Sequence, residues 1–118
     1  MVLIVEDEAL SRRALSSLLG SAGYTTVTAD SGEEALRMVR SGAMPSFALV
    51  DLDLPGMSGI EFIPRLQHLR PGVTPVIISA TRRERLEQAG DDLHVQILSK
   101  PVNLGELLDL LKNDKPVA

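Results

Sequence analysis

The chain has 118 residues, 44% of them apolar, which is enough for the core of one domain and leaves no room for a second. Its 16 acidic residues outnumber 12 basic ones for a net charge of -4, which argues against a surface built for nucleic acid or for an anionic membrane. Cysteine is absent, which excludes disulfides and thiolate metal sites, and no apolar run reads as a signal peptide or membrane span, so a cytoplasmic setting is expected.

In chain order, short runs of β-branched and apolar residues alternate with segments of helical period. The predicted strands are Val2 to Val5, Thr25 to Ala29, Phe47 to Val50, Thr74 to Ile78 and Val95 to Leu98. Three of them are continuously apolar, as expected of central parallel strands covered on both faces. After the first strand, Leu15, Leu18, Leu19 and Ala22 mark a helix that Gly23 stops. Ser31 with Glu34 forms a capping box for the second helix, which ends near Gly42. The third helix spans Gly59 to Arg70 and contains Pro64, which predicts shortening or a kink. Arg82 to Ala89 has only Leu86 and Ala89 to bury and is expected to be the loosest helix. Asn103 with Glu106 caps the last helix, whose stripe is Leu104, Leu107, Leu108 and Leu111, with Leu110 off the stripe and available to a partner. Five βα units of this kind make one doubly wound sheet, whose sites lie at the carboxyl ends of the strands.

Chemistry-bearing residues fall at those ends. Glu6 and Asp7 follow the first strand, Asp51 the third and Lys100 the fifth, while Ser79 ends the fourth. Parallel strands bring all five to one edge, so three carboxylates, a hydroxyl and an ammonium converge. Carboxylates held together repel unless one is protonated or a cation lies among them. An all-oxygen set suits a hard ion such as Mg²⁺.

The run Leu49-Val50-Asp51-Leu52-Asp53-Leu54-Pro55-Gly56-Met57-Ser58-Gly59 resembles the phosphorylation segment of bacterial response-regulator receiver domains. Leu3 to Glu8, Ser79-Ala80 and Lys100-Pro101 match the same family in order and strand context, so the resemblance covers the whole chain. It implies a flavodoxin-like five-stranded parallel sheet of order 2-1-3-4-5 with five helices. It further implies that residues 1–118 form one receiver domain, either free-standing or part of a longer regulator or hybrid kinase. By the same resemblance Asp51 is the phospho-acceptor, and Glu6, Asp7, Asp51 and the backbone carbonyl of Asp53 hold Mg²⁺. Lys100 pairs with phosphoryl oxygens, Ser79 is the hydroxyl that moves to meet them, and the Lys100-Pro101 bond is cis. The donor would be a phosphohistidine on a histidine kinase or phosphotransfer domain, and the chain would act as a signalling acceptor rather than a turnover enzyme.

One position departs from the family's pattern: Ile97 stands where a Tyr or Phe three residues before the lysine usually serves as the second switch residue. Signal transmission is therefore expected to rely less on the surface formed by the fourth helix, fifth strand and fifth helix, or to use a different helix. Two rival readings stay open. Asp51-Leu52-Asp53, with Gly90-Asp91-Asp92 later, resembles the motifs of Mg²⁺-dependent haloacid-dehalogenase-like phosphohydrolases, although their nucleophile lies on the first strand. A degenerate receiver acting only as an interaction module is the other.

Overall fold

In the computed structural model, which describes residues 1–113, strands and helices alternate throughout those residues. The strands are β1 (Val2–Val5), β2 (Thr26–Ala29), β3 (Phe47–Asp51), β4 (Thr74–Ser79) and β5 (Gln96–Ser99). The helices are α1 (Ala9–Ser21), α2 (Gly32–Arg40), α3 (Gly59–Leu69), α4 (Arg83–Leu93) and α5 (Leu104–Asn113). The sheet order is β2-β1-β3-β4-β5 with every neighbour parallel, the doubly wound arrangement expected from the sequence.

Strand side chains alternate between two apolar layers. Leu3, Val5, Ala48, Val50 and Ile77 pack with Leu36, Val39, Phe62, Leu66 and Leu86 of α2, α3 and α4. Val2, Ile4, Leu49, Val76 and Ile78 pack on the other face with Leu15 and Leu19 of α1 and Leu107 and Leu111 of α5. Covering both faces is why the central strands carry no polar alternation.

Caps fall where the sequence places them. Ser31 accepts from the Glu34 amide at 3.1 Å, and Asn103 accepts from the Glu106 amide at 3.0 Å. Gly23 and Gly42, at φ 94 and 117, reverse the chain after α1 and α2.

Differences from expectation have local causes. β3 and β4 each end one residue later than expected, β5 shifts by one residue to Gln96–Ser99 and β2 begins at Thr26, with Asp51 pairing with Ile78 and Ser79 with Ser99 before the strands part. Pro64 neither stops nor shortens α3: the acceptor it leaves unserved is the carbonyl of Ile60, in the helix's exposed first turn. α4 continues past Ala89 to Leu93 although it buries only Leu86, Ala89 and Gly90. It can do so because Gly90 lies against β5, where a Cβ would sit 2.6 Å from Ile97 Cγ2. Leu110 is half-buried and packs against the layer that holds α5, not on an open face.

Candidate functional site

The carboxyl ends of β1, β3, β4 and β5 bring Glu6, Asp7, Asp51, Ser79 and Lys100 to one edge of the sheet. Backbone bonds fix the loops that carry them. The Glu6 amide donates to Ala29 O at 3.1 Å, the Leu52 amide to Ile78 O at 2.9 Å and the Lys100 amide to Ser79 O at 2.8 Å. The Lys100-Pro101 peptide bond is cis.

Lys100 Nζ donates to Glu6 Oε1 at 2.7 Å and to Asp51 Oδ2 at 2.9 Å, so one ammonium bridges two buried carboxylates. The Asp53 amide donates to Asp51 Oδ1 at 2.9 Å. Burial, and after it the adjacent Asp51 carboxylate, pushes the Glu6 carboxyl up to about 7, against the opposing pull of Lys100. Burial acts on Asp51 in the same sense, but the Glu6 side chain, the Asp53 amide and Lys100 outweigh it and hold Asp51 below the usual carboxylate range. Burial also opposes the charge on Lys100, yet its bonds to Glu6 and Asp51 leave that ammonium's pKa raised.

Glu6, Asp7 and Asp51 each place a carboxylate oxygen within 4.8 Å of the others, and Asp7 is the exposed member. Glu6 is fully buried, and its Oε2 has no hydrogen-bond partner. A crowded oxygen set with one orphaned buried acceptor fits a hard divalent cation. Among the described residues, Asp91 and Asp92 form no part of this cluster; both are exposed on α4.

Gly59 makes the arrangement sterically possible. A Cβ there would lie 2.8 Å from the Asp51 carbonyl oxygen and 3.1 Å from Leu52 Cα, so only glycine lets α3 start this close to the acid. Ser79 is buried, and its hydroxyl donates to Asp53 Oδ2 at 3.0 Å while accepting from the Thr81 amide at 3.0 Å. Ile97 is half-buried and packs into the layer beneath α4.

Three contributors are not foreseen by motif reasoning. Glu8 caps α1, accepting from the Leu10 and Ser11 amides at 3.1 and 2.8 Å. Arg12 donates to the carbonyl oxygens of Glu6 and Asp7 at 2.8 and 3.3 Å, pinning the loop between β1 and α1. Arg85 of α4 pairs with Asp53 at 2.7 Å. The signal for Glu8 was present in its spacing to Ser11, but the two arginines look like solvated surface cations in one dimension.

The family model of the response regulator receiver domain matches residues 2–112. A cyclic di-GMP phosphodiesterase of Thermotoga maritima is 35% identical over 92% of this chain, which spans 29% of that protein. A sensor histidine kinase, RcsC, of Salmonella typhi is 33% identical over 94% of the chain and 12% of its own length. The chain thus corresponds to a minor part of these longer relatives. Sporulation initiation phosphotransferase F of Bacillus subtilis is 29% identical, with 98% of this chain and 94% of that one covered. Among solved structures, a response regulator receiver protein from Pseudomonas putida superposes with a TM-score of 0.85 at 31% identity, covering 95% of this chain and 94% of the other. The chemotaxis protein CheY4 of Vibrio cholerae gives 0.82 at 30% identity, with 95% of each chain covered. With the family model spanning nearly the whole chain and the acid edge in place, this chain belongs to the response regulator receiver family and is a phospho-accepting signalling domain of two-component systems.

Proposed function

We propose that Asp51 is the residue that accepts the phosphoryl group, from a phosphohistidine of a histidine kinase or phosphotransfer domain. The observation that carries this is the Lys100 bridge: the one buried acid at the end of the central strand is held ionised, with an ammonium 2.9 Å from its oxygen. An ionised Asp51 oxygen attacks phosphorus, the P–O bond forms as the donor's P–N bond breaks, and the electron pair leaves with the imidazole nitrogen. Lys100 is placed to follow the charge onto the phosphoryl oxygens. The Asp53 amide orients Asp51 through its other oxygen. Mg²⁺, held by Glu6, Asp7, Asp51 and the Asp53 carbonyl, would supply the remaining neutralisation of the transferring group. Ser79 then answers the new phosphoryl oxygens with its hydroxyl.

This is stoichiometric acceptance by one domain rather than turnover of a substrate, and it fits a cytoplasmic partner kinase. Glu6, Asp7 and Lys100 contribute charge and Ser79 contributes a donor, while the phosphohydrolase reading loses its later acid pair to the exposed surface of α4. Incubation with acetyl phosphate and Mg²⁺ followed by intact-mass measurement tests the assignment. One phosphoryl increment in the wild type and none in Asp51→Asn is expected. An undiminished increment in Asp51→Asn would place the acceptor elsewhere, and steady hydrolysis of a phosphomonoester would restore the enzyme reading.

A further inference from the structure

Between α1 and the outer strand β2 lies a groove of about 430 Å³, lined by Arg12, Arg13, Ser16, Ser17 and Thr28. Every lining side chain carries a hydrogen-bond donor, and none is a carboxylate. Helical spacing arranges them: Arg12 and Ser16, and likewise Arg13 and Ser17, are four residues apart, so each guanidinium shares a side of α1 with a hydroxyl. None of the 13 residues of α1 is acidic, and the Glu8 carboxylate at its cap is taken by the Leu10 and Ser11 amides. Neither arginine therefore has a free carboxylate on its own helix.

Arg12 is half-buried and already held: its Nη1 donates to the Glu6 and Asp7 carbonyl oxygens, while its Nε and Nη2 meet no acceptor among the described residues. A guanidinium fixed at one end presents its remaining N–H groups at low entropic cost. Arg13 is exposed and forms no ion pair among the described residues. Ser16 and Thr26 share one proton across 2.7 Å, and whichever hydroxyl donates, the pair keeps a second proton for an outside acceptor. Two cations and three hydroxyls in one groove suit an oxyanion that also carries hydroxyls. The groove's volume, about 430 Å³, falls in the range of small-molecule sites. We propose that it binds a small hydroxylated phosphomonoester, with the phosphoryl oxygens on Arg12 and Arg13 and the organic part on Ser16, Ser17 and Thr28. The chain's net charge of -4 favours a soluble ligand over the headgroup of an anionic membrane. This site uses neither Asp51 nor Lys100 and stands apart from phosphoryl acceptance.

Ribose 5-phosphate titrated into the isotope-labelled full chain and followed by amide NMR tests this. Mg²⁺ is left out, so that no metal bridges the phosphate to the acid edge. Saturable shifts at the amides of Arg13, Ser17 and Thr28 are expected, and ribose alone should give none. Arg13→Ala should weaken binding about tenfold by removing a charge-assisted pair, and Ser17→Ala about threefold by removing a neutral one. Arg13→Lys should recover part of the loss, because lysine restores the charge without the guanidinium fork. Both side chains are exposed, so these variants should keep the wild-type Tm, whereas Arg12 also holds the Glu6 loop and is left in place. The groove shifts should persist in Lys100→Met. Shifts centred on Lys100 and Asp53 that vanish in Lys100→Met would put the phosphate at the acid edge and overturn the proposal. Wild-type affinity in Arg13→Ala, or groove shifts that rise without saturating, would overturn it as well.

Discussion

Lys100 Nζ lies 2.7 Å from Glu6 Oε1, while Oε2 of the same carboxylate is buried with no hydrogen-bond partner. One ammonium therefore satisfies half of a buried acid, and the other half is the oxygen the proposed Mg²⁺ would take. Binding only to the folded site, Mg²⁺ at ten times its dissociation constant adds about 1.4 kcal/mol of stability. That corresponds to a rise in Tm of about 5 °C for a domain of this size. Thermal melts with and without the metal should show the rise in the wild type and a much smaller one in Asp51→Asn. Equal shifts in both proteins would mean the cation binds elsewhere.

The metal-free domain should respond to pH through Glu6. Its folded-state pKa, about 7, is raised above the ordinary 4.5, so the folded form holds the proton more tightly than the unfolded chain. The stabilisation is complete below the unfolded value and is lost as pH rises through about 7. In a chelator, Tm should fall between pH 5 and pH 8, and Glu6→Gln should flatten that fall. A wild-type Tm that is level across this range, or a slope unchanged in Glu6→Gln, would show that the carboxyl does not titrate there.

Gly59 tests how tightly the acceptor strand is seated. The Cβ of Gly59→Ala would meet backbone atoms of Asp51 and Leu52 that cannot rotate away, at 2.8 and 3.1 Å. Overpacking of this kind costs about 1–3 kcal/mol, and it should also slow phosphorylation by shifting Asp51. Gly20→Ala is the contrast, because nothing lies within 4 Å of its added Cβ inside α1. It should stabilise the chain by about 0.5 kcal/mol, as alanine does over glycine within a helix. Denaturant titrations that rank the two variants the other way would contradict the packing described.

The acid edge was legible in the sequence because parallel order alone places every strand's carboxyl end together, so Glu6, Asp7, Asp51, Ser79 and Lys100 needed only strand positions to be gathered. Capping at Ser31 and Asn103 was legible for a similar reason, since the cap and its partner lie three residues apart. Arg12 and Arg85 were not. Their partners are chosen by where a helix lands on the sheet, and no local spacing records that. The reach of α4 was hidden likewise: the apolar pattern ends at Ala89, and what lets the helix go on through Gly90-Asp91-Asp92 is the contact of Gly90 with Ile97, which no local spacing shows.

That contact yields its own prediction. In Gly90→Ala the new methyl would overlap Ile97 Cγ2 at 2.6 Å and crowd the Val95 carbonyl at 3.1 Å, costing about 1–3 kcal/mol. Ile97→Ala removes the overlapping methyl, so the double variant should be more stable than the sum of the single losses, by at least about 0.5 kcal/mol. Strict additivity in chemical denaturation would mean that α4 does not rest on Ile97 through Gly90.

Lys100→Met separates the two uses of positive charge at the site. The ammonium bonds to Glu6 and Asp51, so under the proposed function it would compete with the metal for those oxygens while assisting the phosphoryl group. Removing it takes a competing cation off those oxygens, which, at a pH where both acids are ionised, should preserve or tighten Mg²⁺ binding. The same change withdraws a preorganised cation from the transferring oxygens, for a loss on the order of 10²-fold in the rate of phosphorylation by acetyl phosphate. Metal titration and phosphorylation kinetics on the one variant should therefore move apart. If metal affinity and rate collapse in parallel, Lys100 serves to hold the site's shape, and its assignment to the phosphoryl group is lost.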